Sequence, residues 1–200
     1  DLRNGKVVPP FDIKISNGAP QHLAVFDYDL NRNYRFLLSH GKKLDMFDNR
    51  GKKVSGFQLK QTEQALQNPP KHIRFGSNDY IVLQHIDGSV RIVSRIGKDR
   101  IQLKQSLKTS ANPVFSYRGT FATTDQAGDL VQIVPKGNVV TTPLGLGTDH
   151  RLDMTTKSIV SLSENNLNIN GLPVQLPFGN YTSPQIFYLN NNDLYHSVFD

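Results

Sequence analysis

Short runs in which apolar and polar residues alternate recur along the whole chain, and each run ends just before a glycine-containing turn. Examples are residues 44–47 before Gly51, residues 90–93 before Gly97 and residues 130–134 before Gly137. A period of two places successive side chains on opposite faces of a β-strand, and a glycine turn between two such runs is typical of a β-hairpin. No segment keeps the 3.6-residue apolar period of an amphipathic helix. The pattern therefore predicts an all-β protein built from hairpins.

A second series of hairpins precedes the first. Its paired runs are residues 23–26 with 34–38, 72–75 with 80–83, 115–117 with 121–123, 152–154 with 158–162, and 186–189 with 194–199. Equivalent positions in these runs, Tyr34, Tyr80, Phe121, Ile159 and Tyr195, are separated by 46, 41, 38 and 36 residues. Two hairpins therefore recur about every 40 residues, which is the period of a four-stranded β-propeller blade.

An internal repeat supports this period. Residues 5–14 match residues 51–60, with Gly, Lys, Val, Phe and the final Lys in common. Weaker copies begin at Gly97, Gly137 and Gly171, so that the spacings from Gly51 onwards are 46, 40 and 34 residues. With both hairpins counted, the chain contains four complete repeats and two partial ones. The sequence predicts a β-propeller of about five blades if the two ends close into a ring.

We interpret residues 1–200 as a single β-propeller domain or a segment of one. Its repeats are roughly residues 22–60, 71–104, 114–146, 151–178 and 185–200, the last combined with residues 1–14. The N-terminal strand, residues 7–13, is expected to complete the blade begun by residues 186–199. The two partial repeats are complementary, because the C-terminal one has a first hairpin and the N-terminal one has a final strand. The alternative is that the chain is an arc of a larger propeller.

One stretch carries the repeat most clearly: residues 26–57 are FDYDLNRNYRFLLSHGKKLDMFDNRGKKVSGF. This stretch resembles the blades of exported bacterial β-propeller repeat proteins of the FG-GAP and PQQ-like kind. The tryptophan signatures of PQQ-like and WD40 blades are missing, because the chain contains no Trp. The resemblance implies an extracytoplasmic binding or assembly scaffold, in the periplasm or at the cell surface, as part of a larger envelope protein.

A loop within this stretch offers oxygen ligands at alternate positions, from Asp27, Asp29, Asn31 and Asn33. Such spacing lets a turning backbone surround Ca²⁺, and the resemblance to FG-GAP blades, which often bind Ca²⁺ in such a loop, implies the same ion. The expected Gly is replaced by Arg32 and the expected Glu by Leu38. The alternative is a hairpin turn in which Asp and Asn accept local backbone N–H groups. No other cofactor is predicted.

Positive charge is concentrated in the first half of the chain. The formal net charge is +6, made up of +9 over residues 1–110 and −3 over residues 111–200. Lys42, Lys43, Lys52 and Lys53 flank one hairpin, and they would form an anion-binding patch for phosphate or an acidic glycan. The alternative is an ordinary solvated surface, because Lys also keeps strand edges soluble. No nucleic-acid motif accompanies these lysines, so nucleic acid is the less favoured partner.

No catalytic constellation is visible in the sequence. There is no Cys, and the six His have no HExxH spacing. Nucleophile-elbow, dinucleotide-binding and Walker A motifs are missing too, and so is an apolar stretch long enough to span a membrane. We therefore expect a non-catalytic interaction or scaffold module with a protein or polysaccharide partner. The alternatives are a propeller hydrolase or lyase with its site in a central channel, and a basic-patch binder of nucleic acid or anionic polysaccharide.

Overall fold

A computed structural model describes residues 3–6, 19–188 and 194–199, and these residues form strands, turns and loops. The strands are β1 (His22–Phe26), β2 (Arg35–His40), β3 (Lys43–Asp48), β4 (Lys71–Phe75), β5 (Asn78–Gln84), β6 (Val90–Val93), β7 (Asp99–Ile101), β8 (Phe115–Tyr117), β9 (Thr120–Thr124), β10 (Leu130–Ile133), β11 (Val139–Thr142), β12 (His150–Met154), β13 (Ile159–Ser163), β14 (Asn166–Ile169), β15 (Leu172–Gln175), β16 (Gln185–Tyr188) and β17 (Leu194–Ser197). The all-β prediction is confirmed. In the described part of the chain, no helix has the length and apolar character needed to cross a membrane.

The strands form small sheets in which neighbours in sequence are neighbours in space. Sheet 1 contains β1–β3, sheet 2 contains β4–β7, sheet 3 contains β8–β11, sheet 4 contains β12–β15, and β16 and β17 form a separate hairpin. All five hairpins of the second predicted series are present as antiparallel pairs. Each connection is therefore local, as the alternation of strand runs and turns predicts.

The chain divides into two compact units, unit 1 (Asp1–Arg100) and unit 2 (Ile101–Asp200). In unit 1 the strand register places Ala24, Leu37 and Met46 in line on one face of sheet 1. These residues join Ile81, Leu83, Val93 and others in one buried cluster between sheets 1 and 2. The buried clusters of unit 2 include one around Phe115, Leu130 and Leu152 and one around Val160 and Leu162.

Sheet 1 lacks the regular fourth strand that the repeat predicts after Gly51. Instead, residues 52–62 follow β3 irregularly, with bridges from Phe47 to Lys53 and from Lys43 to Gln61. Between the bridges the chain makes a tight turn in which the Phe57 N–H donates to the Val54 carbonyl at 3.1 Å. This turn brings Phe57 into the core, where only 1% of it is exposed, and burying a side chain of this size contributes about 2–3 kcal/mol. Burial of Phe57 thus accounts for the loss of regular pairing.

One turn geometry recurs five times, at residues 48–52, 85–89, 94–98, 125–129 and 134–138. In each turn the first N–H donates to the fifth carbonyl and the fourth N–H donates to the first carbonyl, at 2.8–3.2 Å. The fourth residue is always Gly, with φ between +71° and +89°. A residue with a Cβ is strained in this left-handed region, which explains why glycine marks each predicted turn.

The predicted closing strand, residues 7–13, lies outside the described residues. Ring closure, the propeller arrangement of the sheets and the single-domain interpretation of residues 1–200 therefore stay predictions. The local sheet order and the shared turn are the parts of that prediction that can be compared with the structure directly.

Candidate functional site

The loop of residues 27–33, which joins β1 to β2, uses its side-chain oxygens within the protein. The Asp27 carboxylate accepts the backbone N–H groups of Asn31 and Arg32 at 3.1 and 3.0 Å, and the Asn31 side chain accepts the N–H of Asn33 at 3.0 Å. These bonds hold Arg32 in the left-handed region, with φ of +62°. Local hydrogen bonding of this kind is what the turn interpretation predicts.

The other two predicted calcium ligands bind arginines. The Asn33 side-chain oxygen accepts from Arg35 at 2.8 Å, and the Asp29 carboxylate accepts two hydrogen bonds from Arg95 at 2.7 and 3.1 Å. The hydrogen bonds from Arg95 hold the pKa of Asp29 below its usual value. Across the described ranges, no group of three or more His, Asp or Glu side chains is placed to share a metal ion.

We expect Ca²⁺ to leave the stability of the protein unchanged, because all four predicted ligands already accept internal hydrogen bonds. The melting temperature in 1 mM CaCl₂ and in 1 mM EDTA should agree to within about a degree, measured by circular dichroism. An ion at 100 times its Kd would add about 2.7 kcal/mol and raise the midpoint by several degrees. Such a rise, abolished in the Asp27→Asn variant, would establish the calcium site instead.

Arg95 connects sheet 1 to sheet 2. Its guanidinium lies 4.7 Å from the centre of the Tyr28 ring, and besides Asp29 it donates to the Asp79 carboxylate at 2.6 Å. Asp79 is only 4% exposed, and it also lies 2.7 Å from Nε2 of His72. The His72 ring in turn packs against Tyr28 with centroids 5.0 Å apart. We call Tyr28, Asp29, His72, Asp79 and Arg95 the Arg95 junction. Its sequence separations reach 67 residues, so no local motif marks it.

A buried polar network lies at the end of β9 in sheet 3. The Thr124 hydroxyl lies 2.6 Å from Nε2 of His150 and 2.8 Å from the Ser110 hydroxyl, and it accepts from the Asn112 amide at 3.2 Å. In sheet 2 the Asn68 amide donates to Gln84 at 2.9 Å. Asn68 and Asn112 both precede Pro, and each binds the last residue of the second strand of its sheet. This recurring Asn-Pro pair is the sequence signal for these contacts, and it was not recognised from the sequence alone.

The four predicted anion-binding lysines lie along the outer edge of sheet 1. Lys42 immediately precedes β3 and Lys43 begins it, whereas Lys52 and Lys53 follow its end, and all four are exposed. The Leu44 N–H donates to the Lys60 carbonyl at 2.9 Å, which puts Lys60 beside the first pair. Because Lys53 pairs with Phe47, the backbones of the two groups are separated by the residue steps from Lys43 to Phe47, about 14 Å at about 3.4 Å per residue. We call Lys42, Lys43, Arg50, Lys52, Lys53 and Lys60 the basic edge.

The two acidic residues of this segment are held by internal donors. Asp45 binds Lys53 Nζ at 2.8 Å and lies 3.0 Å from His40 Nε2. Burial alone would raise the pKa of Asp45, but the hydrogen bonds from Lys53 and His40 outweigh burial and lower it. Asp48 accepts the N–H groups of Lys52 and Arg50, both at 2.9 Å, which lowers its pKa too. Residues 42–60 thus carry six cations and two occupied carboxylates.

A scan against models of protein families finds no match to this chain, and a search of curated proteins finds no relative. The resemblance to FG-GAP and PQQ-like blades accordingly stays a prediction from the sequence.

Proposed function

We propose that this chain is a non-catalytic interaction module of the β-propeller kind, belonging to a larger exported or envelope protein. Through the basic edge it binds an anionic polysaccharide. The observation that carries the proposal is the concentration of six exposed cations along one sheet edge that has only two acidic residues, Asp45, which pairs with Lys53 of the edge itself, and Asp48, which accepts backbone N–H groups.

The local topology supports the propeller part of this proposal. Sheets 2, 3 and 4 are each four strands in sequence order, which is the composition of a propeller blade. The same glycine turn joins the second and third strands of sheets 2 and 3 and also their third and fourth strands. Repetition at two positions in each sheet is expected when one supersecondary unit is repeated along a chain.

The internal pairing of the Asp79 carboxylate and the His150 ring supports a non-catalytic role. In the Arg95 junction, the Asp79 carboxylate is shared by an imidazole and a guanidinium, so its oxygens are occupied. In the network at the end of β9, both ring nitrogens of His150 have partners, the Gly147 carbonyl at 2.7 Å and the Thr124 hydroxyl. A general base needs a lone pair within reach of a substrate proton, and these groups direct their lone pairs to neighbouring protein atoms.

The spacing of the basic edge suits a polymer better than a single small anion. Two cationic groups whose backbones lie about 14 Å apart contact successive charges on an extended chain, whereas an isolated sulfate or phosphate contacts one group only. Since the cations are exposed, salt screens their attraction to the anionic polymer. Binding also displaces counterions from the polymer, which adds a further dependence on ionic strength.

The first test is retention on heparin, used as a model anionic polysaccharide. We expect binding at 50 mM NaCl that weakens by roughly 50-fold at 200 mM, as four polymer charges neutralised by lysine imply. The variant Lys42→Gln, Lys43→Gln, Lys52→Gln, Lys53→Gln should lose at least tenfold in affinity, measured by biolayer interferometry on immobilised heparin.

A matched variant separates the basic edge from net charge. Replacing Lys98, Lys104, Lys136 and Lys157 with Gln removes the same charge from four exposed lysines elsewhere in the chain. This control should bind heparin within about twofold of the wild type. Equal losses in the two variants, or no retention of the wild type at 50 mM NaCl, would refute the basic edge as the binding surface.

A further inference from the structure

Sheet 4 carries a small polar pocket at the end where β12 begins and β13 ends. The register pairs His150 with Ser163 and Arg151 with Leu162, so residues next to these pairs meet at one edge. The lining includes Asp149, Arg151, Leu162, Glu164, Asn180 and Tyr181, and the volume is about 110 Å³. Pockets for drug-sized ligands measure about 300–1,000 Å³, so this one admits the edge of a single small ring.

The walls of this pocket are tied together by hydrogen bonds. The Arg151 guanidinium donates to the Tyr181 carbonyl, which connects the start of β12 to the loop of residues 177–181. The Tyr181 hydroxyl donates to the Pro177 carbonyl at 2.7 Å and closes this loop on itself. Tyr181 also packs against the buried cluster of Val160 and Leu162. The pocket is thus held in shape before any ligand binds, which lowers the entropic cost of binding.

Charged groups of both signs face this pocket. Asp149, Glu164 and Arg151 all line it. Among the ion pairs of the described residues, neither of these carboxylates is within 4.0 Å of a cationic side chain. A ligand that fits must therefore donate hydrogen bonds to carboxylates and accept them from a guanidinium. A hydroxyl group does both, since it has one donor and two acceptor positions.

A fully exposed aromatic ring lies next to a lining residue of the pocket in the chain. Phe178 is 99% exposed and precedes Gly179, which is one of the lining residues. Because the whole surface of this ring stays in water, it is accessible to a ligand. The C–H face of a sugar ring is apolar and packs on an aromatic ring while the hydroxyl edge of the sugar stays available for hydrogen bonds.

We propose that this pocket, together with Phe178, binds a neutral sugar residue through two adjacent hydroxyl groups. The hydroxyls donate to Asp149 and Glu164 and accept from Arg151, and the ring stacks on Phe178. A negatively charged ligand is excluded because it would face two carboxylates and only one arginine. This site goes beyond the anionic polysaccharide proposed above, because it lies in unit 2 and needs none of the lysines of the basic edge.

The test is affinity electrophoresis of the full chain in gels containing galactomannan, yeast mannan, laminarin or dextran. We expect retarded migration in at least one of these neutral polysaccharides, with the same affinity at 50 and 500 mM NaCl. The single variant Phe178→Ala removes the stacking surface, and the double variant Asp149→Asn plus Glu164→Gln removes the charged acceptors. Each of these two variants should weaken binding at least about tenfold.

Matched controls distinguish the pocket from general effects. Phe199 is 61% exposed, so Phe199→Ala removes an exposed ring elsewhere, and Asp129→Asn removes another carboxylate of unit 2. Both controls, and the four-lysine variant of the basic edge, should migrate as the wild type does. Unretarded migration in all four polysaccharides would refute the sugar site without affecting the heparin result. Retardation that survives in Phe178→Ala and in Asp149→Asn, Glu164→Gln would refute it too.

Discussion

Replacing Asp79 with Asn should lower the free energy of unfolding by about 3–5 kcal/mol, the cost of breaking a buried ion pair by removing one partner. The carboxylate is 4% exposed and serves both Arg95 and His72. An amide of the same size directs its own N–H groups at one of these donors, and the buried donor loses its acceptor. Urea unfolding followed by circular dichroism measures the loss.

The chain contains a matched exposed pair for comparison. Asp99 binds Arg91 through two hydrogen bonds at 2.6 and 2.9 Å, but the Asp99 side chain is 45% exposed. Asp99→Asn should therefore cost about 0–1 kcal/mol, as exposed ion pairs do. In an Arg95→Met background, Asp79→Asn should cost less than in the wild type, because the two residues interact directly. Equal costs for Asp79→Asn and Asp99→Asn would contradict the role of the Arg95 junction.

Replacing Gly97 with Ala should cost about 2–5 kcal/mol. The residue has φ of +77°, and a Cβ there would lie 2.7 Å from the backbone nitrogen of Leu59 and 3.0 Å from the Phe57 ring. Left-handed backbone costs a residue with a side chain about 1–2 kcal/mol, and overpacking adds about 1–3 kcal/mol. The obstructing atoms include backbone that is fixed by the hydrogen bond from the Gln58 N–H to the Ile96 carbonyl at 2.8 Å, so they cannot move aside cheaply.

Gly76→Ala separates these two contributions. Gly76 has φ of +58°, yet nothing lies within 4 Å of the position of its added Cβ. Its replacement should cost only the backbone term of about 1–2 kcal/mol. If thermal unfolding followed by circular dichroism gives the same loss for Gly97→Ala and Gly76→Ala, the close packing of the turn on Leu59 is not important for stability.

The hairpins were predictable because their signals are local. Alternating runs such as residues 90–93 and the Gly97 turn contain both the strand periodicity and the backbone requirement of the turn. Departures arise where a distant contact outweighs the local pattern. The strand predicted after Gly51 is replaced by an irregular path with two isolated bridges, and this path buries Phe57 in the core of unit 1.

The site residues were predictable only in part. The exposed lysines follow from their positions beside turns, but their division into two groups depends on the path of residues 52–62 along β3. For the loop at Asp27, the spacing of oxygens indicates which side chains are available, whereas the distant Arg95 decides what Asp29 binds. The sugar pocket combines the start of β12 with Tyr181, 30 residues away, through the bond from Arg151, and no sequence spacing encodes that meeting.

The recurring glycine turn makes this chain a natural display scaffold. Its shape depends on two backbone hydrogen bonds and one glycine, so the second and third residues are under little conformational constraint. Those two positions carry Asn-Arg, Ile-Asp, Arg-Ile, Gln-Ala and Pro-Lys in the five copies. One copy supplies Arg95, which has become part of the stabilising contacts of unit 1. Another copy supplies Arg50 of the basic edge. The remaining three copies offer sites where new dipeptides can be introduced and selected for binding while the strand register is preserved.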